Sequence, residues 1–200
     1  MNKNYTTHTK VEDFLRATID YNLDDLILGV QEYIEGYTGK SFSTLCDTAT
    51  ARLFNGSGTN ELLINDCTEI TKVELGDDYF ANSFTEVLST GTDRYLLSPN
   101  NYSEKGVPID KIILTENIFG KGIQNHRITA KWGYSTNPPA DIVIVATILV
   151  AGMYNAKNSV NGLNSETIGS YSVSFNNQEQ LNAYKKALDI LSRYKERIIC

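Results

Sequence analysis

Histidine, cysteine and clustered positive charge are scarce in this chain, and a membrane-length apolar run is missing. Two histidines, His8 and His126, are too few for a histidine-rich metal site. The three cysteines, Cys46, Cys67 and Cys200, are widely spaced and odd in number. They form no Cys-x-x-Cys pair, so neither a zinc site nor a disulfide framework is indicated. The formal charge is −6 and no lysine/arginine block occurs, which argues against a protein that grips nucleic acid by its phosphates. The opening stretch MNKNYTTHTKVEDFL has no apolar centre like that of a signal peptide, so a protein made and used in cytoplasm is expected. The longest apolar run, within ADIVIVATILVAGMYNA at 140–156, ends at Tyr154. It falls short of the about 20 residues a spanning helix needs, and Asp141 stands at its start. No membrane partner is expected.

What is present suffices for a core. Hydrophobic residues make up 41% of 200, enough for one domain or one domain with an insertion. The apolar run reads as a buried helix. Asn137 can cap it, Pro138 suits its first position, and Asp141 lies near the positive end of its dipole. A helix apolar all round must be covered all round, which marks Ile142, Ile144, Val145, Ile148 and Leu149 as core or subunit-packing residues.

The first part of the chain also reads as helical. Thr9 and Glu12 resemble a capping box ahead of Val11, Phe14 and Leu15. In NLDDLILGVQEYIEGYTGK, Asn22 is a plausible cap and Gly39 a stop. Leu23, Leu26, Ile27, Val30, Tyr33, Ile34 and Tyr37 recur there at helical spacing. From about 48 to 134 the chain changes to short alternating runs: TATARLF, ELLI, ITKVEL, DRYLL, KIILT and RITAKWGY. In the last, Ile128, Ala130 and Trp132 face one way, so Trp132 is expected to pack inward. Asn55–Gly56, Gly76–Asp77 and Gly120–Lys121–Gly122 mark turns. After the apolar helix, Tyr171, Val173 and Phe175 alternate. A final helix follows, with Asn176 and Glu179 as a possible capping box and a stripe through Leu181, Tyr184, Leu188, Leu191, Tyr194 and Ile198.

The candidate chemical motifs have ordinary explanations. NGSGTNE at 55–61 lacks a P-loop's Gly-Lys-Ser/Thr ending and precedes a strand, so a hairpin turn is expected. Asp77–Asp78 sits at a turn and Asp24–Asp25 in a first helical turn, and no third ligand stands at metal-site spacing. No cofactor, metal or catalytic residue is expected. Two competing readings have sequence handles. Trp132 and nearby tyrosines could form the platform of a β-rich glycan-binding module. Cys67 or an aspartate with His126 could serve a hydrolase. Residues 176–200 carry Lys185, Lys186, Arg193, Lys195 and Arg197 against three acids, a net of +2, which leaves the remainder at −8.

The order of these pieces resembles the head–tail connector proteins of tailed bacteriophages, also called adaptor or head-completion proteins. The likeness runs through EYIEGYTGKSF, ARLFNGSGTNELLINDCTEITKVELGDD, RITAKWGYSTNPPADIVIVATILVAGMY and ETIGSYSVSF, and covers roughly 10–200. It implies an α+β fold: a helical adaptor core of N-terminal helices, central apolar helix and C-terminal helix, with an inserted antiparallel β region at about 48–134. Residues 1–200 would then form a single connector domain. It further implies a non-enzymatic virion neck protein, assembled in the host cytoplasm. The expected assembly is a homo-oligomeric ring, usually of twelve copies, that binds the portal protein and a stopper or tail protein. The ring would extend a channel through which double-stranded DNA passes without specific contact. Because such adaptors contact the portal, Arg193, Lys195, Arg197, Ile198 and Ile199 are the expected docking residues.

Overall fold

The computed structural model describes residues 4–43, 48–158, 164–168, 171–175 and 178–195. The fold is α+β: five helices among these residues, and a six-stranded antiparallel sheet inserted in the chain between the N-terminal and C-terminal helices. The chain divides into two compact units, a β unit of 43–137 and a helical unit of 3–42 with 138–200.

In the helical unit, α1 spans His8–Leu15 and α2 Asp24–Thr38. The cap of α1 is Thr7 rather than Thr9: its Oγ1 accepts from the Lys10 amide at 3.4 Å. Glu12, freed from a capping box, accepts instead from the Ile19 amide at 2.9 Å and fixes the turn into α2. Asn22 stands one residue ahead of the geometric cap, Leu23, yet its Oδ1 still accepts from the Asp24 amide at 2.8 Å. Gly39 closes α2 at φ 72°, a left-handed conformation that favours glycine. Ile27, Val30 and Ile34 form the buried stripe of α2.

The apolar run forms α4, Ala140–Asn158. Its first helical bond runs from the Val143 amide to the Pro139 carbonyl at 3.0 Å, so Asn137 lies two residues outside the cap position. α4 packs against α1, α2, α5 (Gln178–Tyr194) and the hairpin strand β8 (Tyr171–Phe175), which pairs with β7 (Asn164–Ile168). Ile142, Val145, Ala146, Leu149 and Val150 are buried as a result. Coverage within the chain is not complete all round, however. Ile144 is 55% exposed and Ile148 half-buried. Ala140, Ile144 and Ile148 fall on one stripe at four-residue spacing, the stripe that the surrounding elements leave least covered. Among the described residues no helix is long and apolar enough to cross a membrane.

The β unit holds β1 (Thr50–Gly56), β2 (Glu61–Gly76), β3 (Phe84–Val87), β4 (Tyr95–Ser98), the one-turn α3 (Tyr102–Lys105), β5 (Ile109–Leu114) and β6 (Gly122–Trp132). The strand order is β1-β6-β2-β5-β4, with β3 paired to β2. ELLI and ITKVEL are two halves of the single strand β2, joined through register shifts between Leu63 and Lys72. Those irregularities bend the strand so that its start pairs with β5 and its end with β6 and β3. The turn at 55–61 is therefore not a hairpin: β1 and β2 both pair with β6, which lies between them. Gly56 is needed there, because a Cβ would sit 1.7 Å from the Gly120 carbonyl oxygen. The core of the unit is Leu62, Val73, Ile109, Ile112, Leu114, Phe119, Ile128, Ala130 and Trp132.

Candidate functional site

The pairing of Cys67 with His126 as nucleophile and base fails on register. Cys67 lies opposite Trp132 and His126 opposite Leu75, at the two ends of the β2–β6 ladder. Cys67 is fully buried, its Sγ is 3.6 Å from the Ile109 carbonyl, and burial pushes the thiol up to about 12, far from the thiolate a nucleophile requires. His126 packs edge-on against Phe119, with Nε2 3.0 Å from the Gly120 carbonyl. Burial lowers its pKa, against a smaller opposing effect of that bond. Cys46, Cys200 and Asn176 lie outside the described residues. The Asp77 carboxylate is used locally. It accepts from the Asn82 amide, the Ser83 amide and the Ser83 hydroxyl, and these bonds hold it below the usual carboxylate range. Among the described residues no three His, Cys, Asp or Glu side chains gather as metal ligands would.

Trp132 packs inward, as its alternation implies, and is only 4% exposed. Its Nε1 donates to the Thr50 carbonyl at 2.8 Å, Phe54 packs on it at 5.8 Å, and the Arg52 guanidinium covers the ring at 4.5 Å. Its stacking surface is taken, so it offers no glycan platform.

A second arrangement was not legible in sequence. Glu74, buried, takes a bidentate pair of bonds from Arg127 at 2.7 Å each and a third from Lys72 at 2.9 Å. Arg127 lies opposite Glu74 across the β2–β6 ladder and stacks over Phe84 of the same unit at 4.3 Å. These bonds hold the Glu74 carboxyl at about 2, the Arg127 bond contributing most. The network is structural: it fastens the bent end of β2 to β6.

The exposed surfaces say more. In the β2–β3 turn, Tyr79 and Phe80 form an edge-on pair at 4.9 Å, and Phe80 is 64% exposed. The Ile123 amide donates to the Tyr79 carbonyl at 2.9 Å, which sets exposed Ile123 beside them. With Asp77 locking the turn from inside, this is a preformed apolar tip. On the helical unit, Tyr194 anchors the end of α5. Its hydroxyl donates to Asp141 Oδ2 at 2.7 Å and its ring meets Phe42 edge-on at 5.0 Å. Arg193 and Lys195 are exposed on either side of it, and Lys195 Nζ lies 5.2 Å from the Tyr37 ring. Arg197, Ile198 and Ile199 lie outside the described residues.

The fold defines a class: an α+β protein of two compact units, a β sheet unit inserted in a helical one. No family model matches the chain, and no curated protein matches it. Among solved structures it is similar to a chain from the neck of an empty gene transfer agent (GTA) particle, computed with C6 symmetry. That match has 13% identity and a TM-score of 0.52, over 96% of this chain and 90% of that one. It is also similar to a chain from the neck of a native GTA particle, computed with C12 symmetry. There the identity is 12% and the TM-score 0.51, over 96% of this chain and 89% of that one. At these identities the likeness is one of fold.

Proposed function

We propose that the protein is a structural, non-enzymatic component of the neck of a tailed phage or phage-like particle, in the manner of the head–tail connectors it resembles in sequence. In this reading residues 1–200 act as one connector domain carrying a β-rich insertion at about 48–134. Copies form a homo-oligomeric ring, of twelve subunits by analogy, assembled in the host cytoplasm and resident at the head–tail junction. The ring joins the portal protein to a stopper or tail protein and extends the DNA channel. A net charge of −6 suits a conduit, because like charge keeps the duplex sliding rather than bound. The observation that carries the reading is the fold likeness to GTA neck chains along 96% of this chain, from particles computed with C6 and C12 symmetry.

Within this reading, Arg193, Lys195, Arg197, Ile198 and Ile199 dock on the portal. The rigid tip of Tyr79, Phe80 and Ile123 is a surface for the stopper or tail protein. Negative-stain images of the purified chain test the core of the proposal. Rings with a central hole are expected. Particles that stay monomeric at every concentration, alone and with portal, would remove it. The glycan-binding alternative has no comparable support, since Trp132 is buried.

A further inference from the structure

The helical unit carries charges of opposite sign on two different helices. Residues 11–39 hold seven carboxylates against Arg16 alone, a net of −6, equal to the charge of the whole chain. On α2, Asp24, Leu28 and Glu32 follow at four-residue spacing and share one exposed stripe, with Asp25 beside them. Leu28, 53% exposed, sits between carboxylates one turn above and one turn below. On α5, Lys185 and Lys186 are exposed, and the stripe continues through Asp189 to Arg193. Asp24, Asp25, Glu32, Lys185 and Lys186 form no ion pair among the described residues. Both helices pack on α4 of the same unit.

We infer that these two faces are mates: the acidic, Leu28-centred face of α2 receives the lysine face of α5 from a second copy of this chain. The inference rests on the ring reading above and names the surfaces that would close the ring. A head-to-tail ring needs two different and complementary patches on each subunit, unlike a two-fold dimer in which one patch meets itself. Opposite charge on two helices of one unit meets that need. Carboxylates rimming an apolar side chain give register and partner choice, with Leu28 as the desolvated centre. Each exposed ion pair is weak alone, but repetition around a ring multiplies its effect.

Charge reversal on the full chain tests this, with assembly followed by sedimentation velocity at low salt and folding by circular dichroism. Lys185→Glu with Lys186→Glu, and separately Asp25→Lys with Glu32→Lys, should each raise the concentration for half-assembly by about tenfold or more, which is about 1.4 kcal/mol. The chain carrying all four substitutions should recover to within about threefold of wild type. If either reversal unfolds the chain, the neutral pair Lys185→Gln with Lys186→Gln, compared with Leu28→Ser, reads the same contact. Folded reversals that assemble like wild type overturn the inference and leave the ring reading standing. Reversals that fail without recovery in the fourfold chain also overturn it, and show that the charges serve another neck protein. A wild-type chain that never assembles, alone or with portal, removes the ring reading itself.

Discussion

At the scale of single residues, Glu74 shows how a buried charge is made tolerable. Its carboxylate faces two cations, Arg127 and Lys72, instead of water, so its ionised form is favoured. A carboxyl lowered from 4.5 to about 2 in the folded state adds stability that is complete above pH about 4.5 and lost as pH falls toward 2. His126 acts in the same direction at higher pH. Its folded pKa is lowered from 6.5, so acidification favours the unfolded chain once pH drops below that value. Acid titration of stability should therefore show two falling limbs, one below pH about 6.5 and one below about 4.5. Glu74→Gln should lower the urea midpoint at pH 7 and flatten only the second limb. An unchanged second limb would mean that the ion pair is not what acid disrupts.

Among the elements, α4 separates what helical periodicity shows from what packing decides. Val145 is fully buried and Ile144, one residue earlier, is exposed. Val145→Asp should unfold the helical unit, because an unpaired buried charge costs at least several kcal/mol, comparable to a domain's whole stability. Ile144→Asp should leave the monomer folded, with a change in stability within about 1 kcal/mol. If Ile144 packs against a neighbouring subunit, the same variant should also weaken ring formation. Chemical denaturation of both variants checks the first contrast and sedimentation the second. At the end of α5, Tyr194→Phe removes a hydrogen bond to a carboxylate, and should cost about 1–2 kcal/mol while leaving the Phe42 contact in place. A neutral result in thermal melts would show that Asp141 finds water instead.

At the scale of the whole molecule, the proposed portal contact concentrates on a short tail. Deleting 195–200 should leave the subunit folded, since Tyr194 is retained and anchors α5. Solvent-exposed pairs made by Lys195 and Arg197 with the portal should contribute about 0–1 kcal/mol each, and Ile198 and Ile199 about 1.5–3 kcal/mol each if the portal buries them, multiplied around the ring. Filled heads purified with the truncated chain should lose DNA and carry no neck ring. Heads with a complete ring would place docking elsewhere on the subunit.

Much of this architecture was legible beforehand, because local rules are short-ranged. Helical spacing located α2, α4 and α5, and strict alternation placed Ile128, Ala130 and Trp132 on one buried face of β6. Glycine at Gly39 marked a helix end, as its left-handed backbone requires. What sequence could not decide depends on which elements meet. β6 inserts between β1 and β2, so an apparent hairpin turn became a crossover. Thr7 rather than Thr9 caps α1, because the choice turns on one residue of backbone geometry. The Glu74–Arg127 pair joins residues far apart in the chain, and no periodicity announces a partner across a ladder. Ile144 and Val145 are equally apolar, and only the arrangement of elements around α4 sets one in the core and the other at the surface. Side-chain chemistry and local spacing determine what each segment can be. Tertiary packing determines which of its faces loses water, and that choice depends on neighbours the segment itself does not encode.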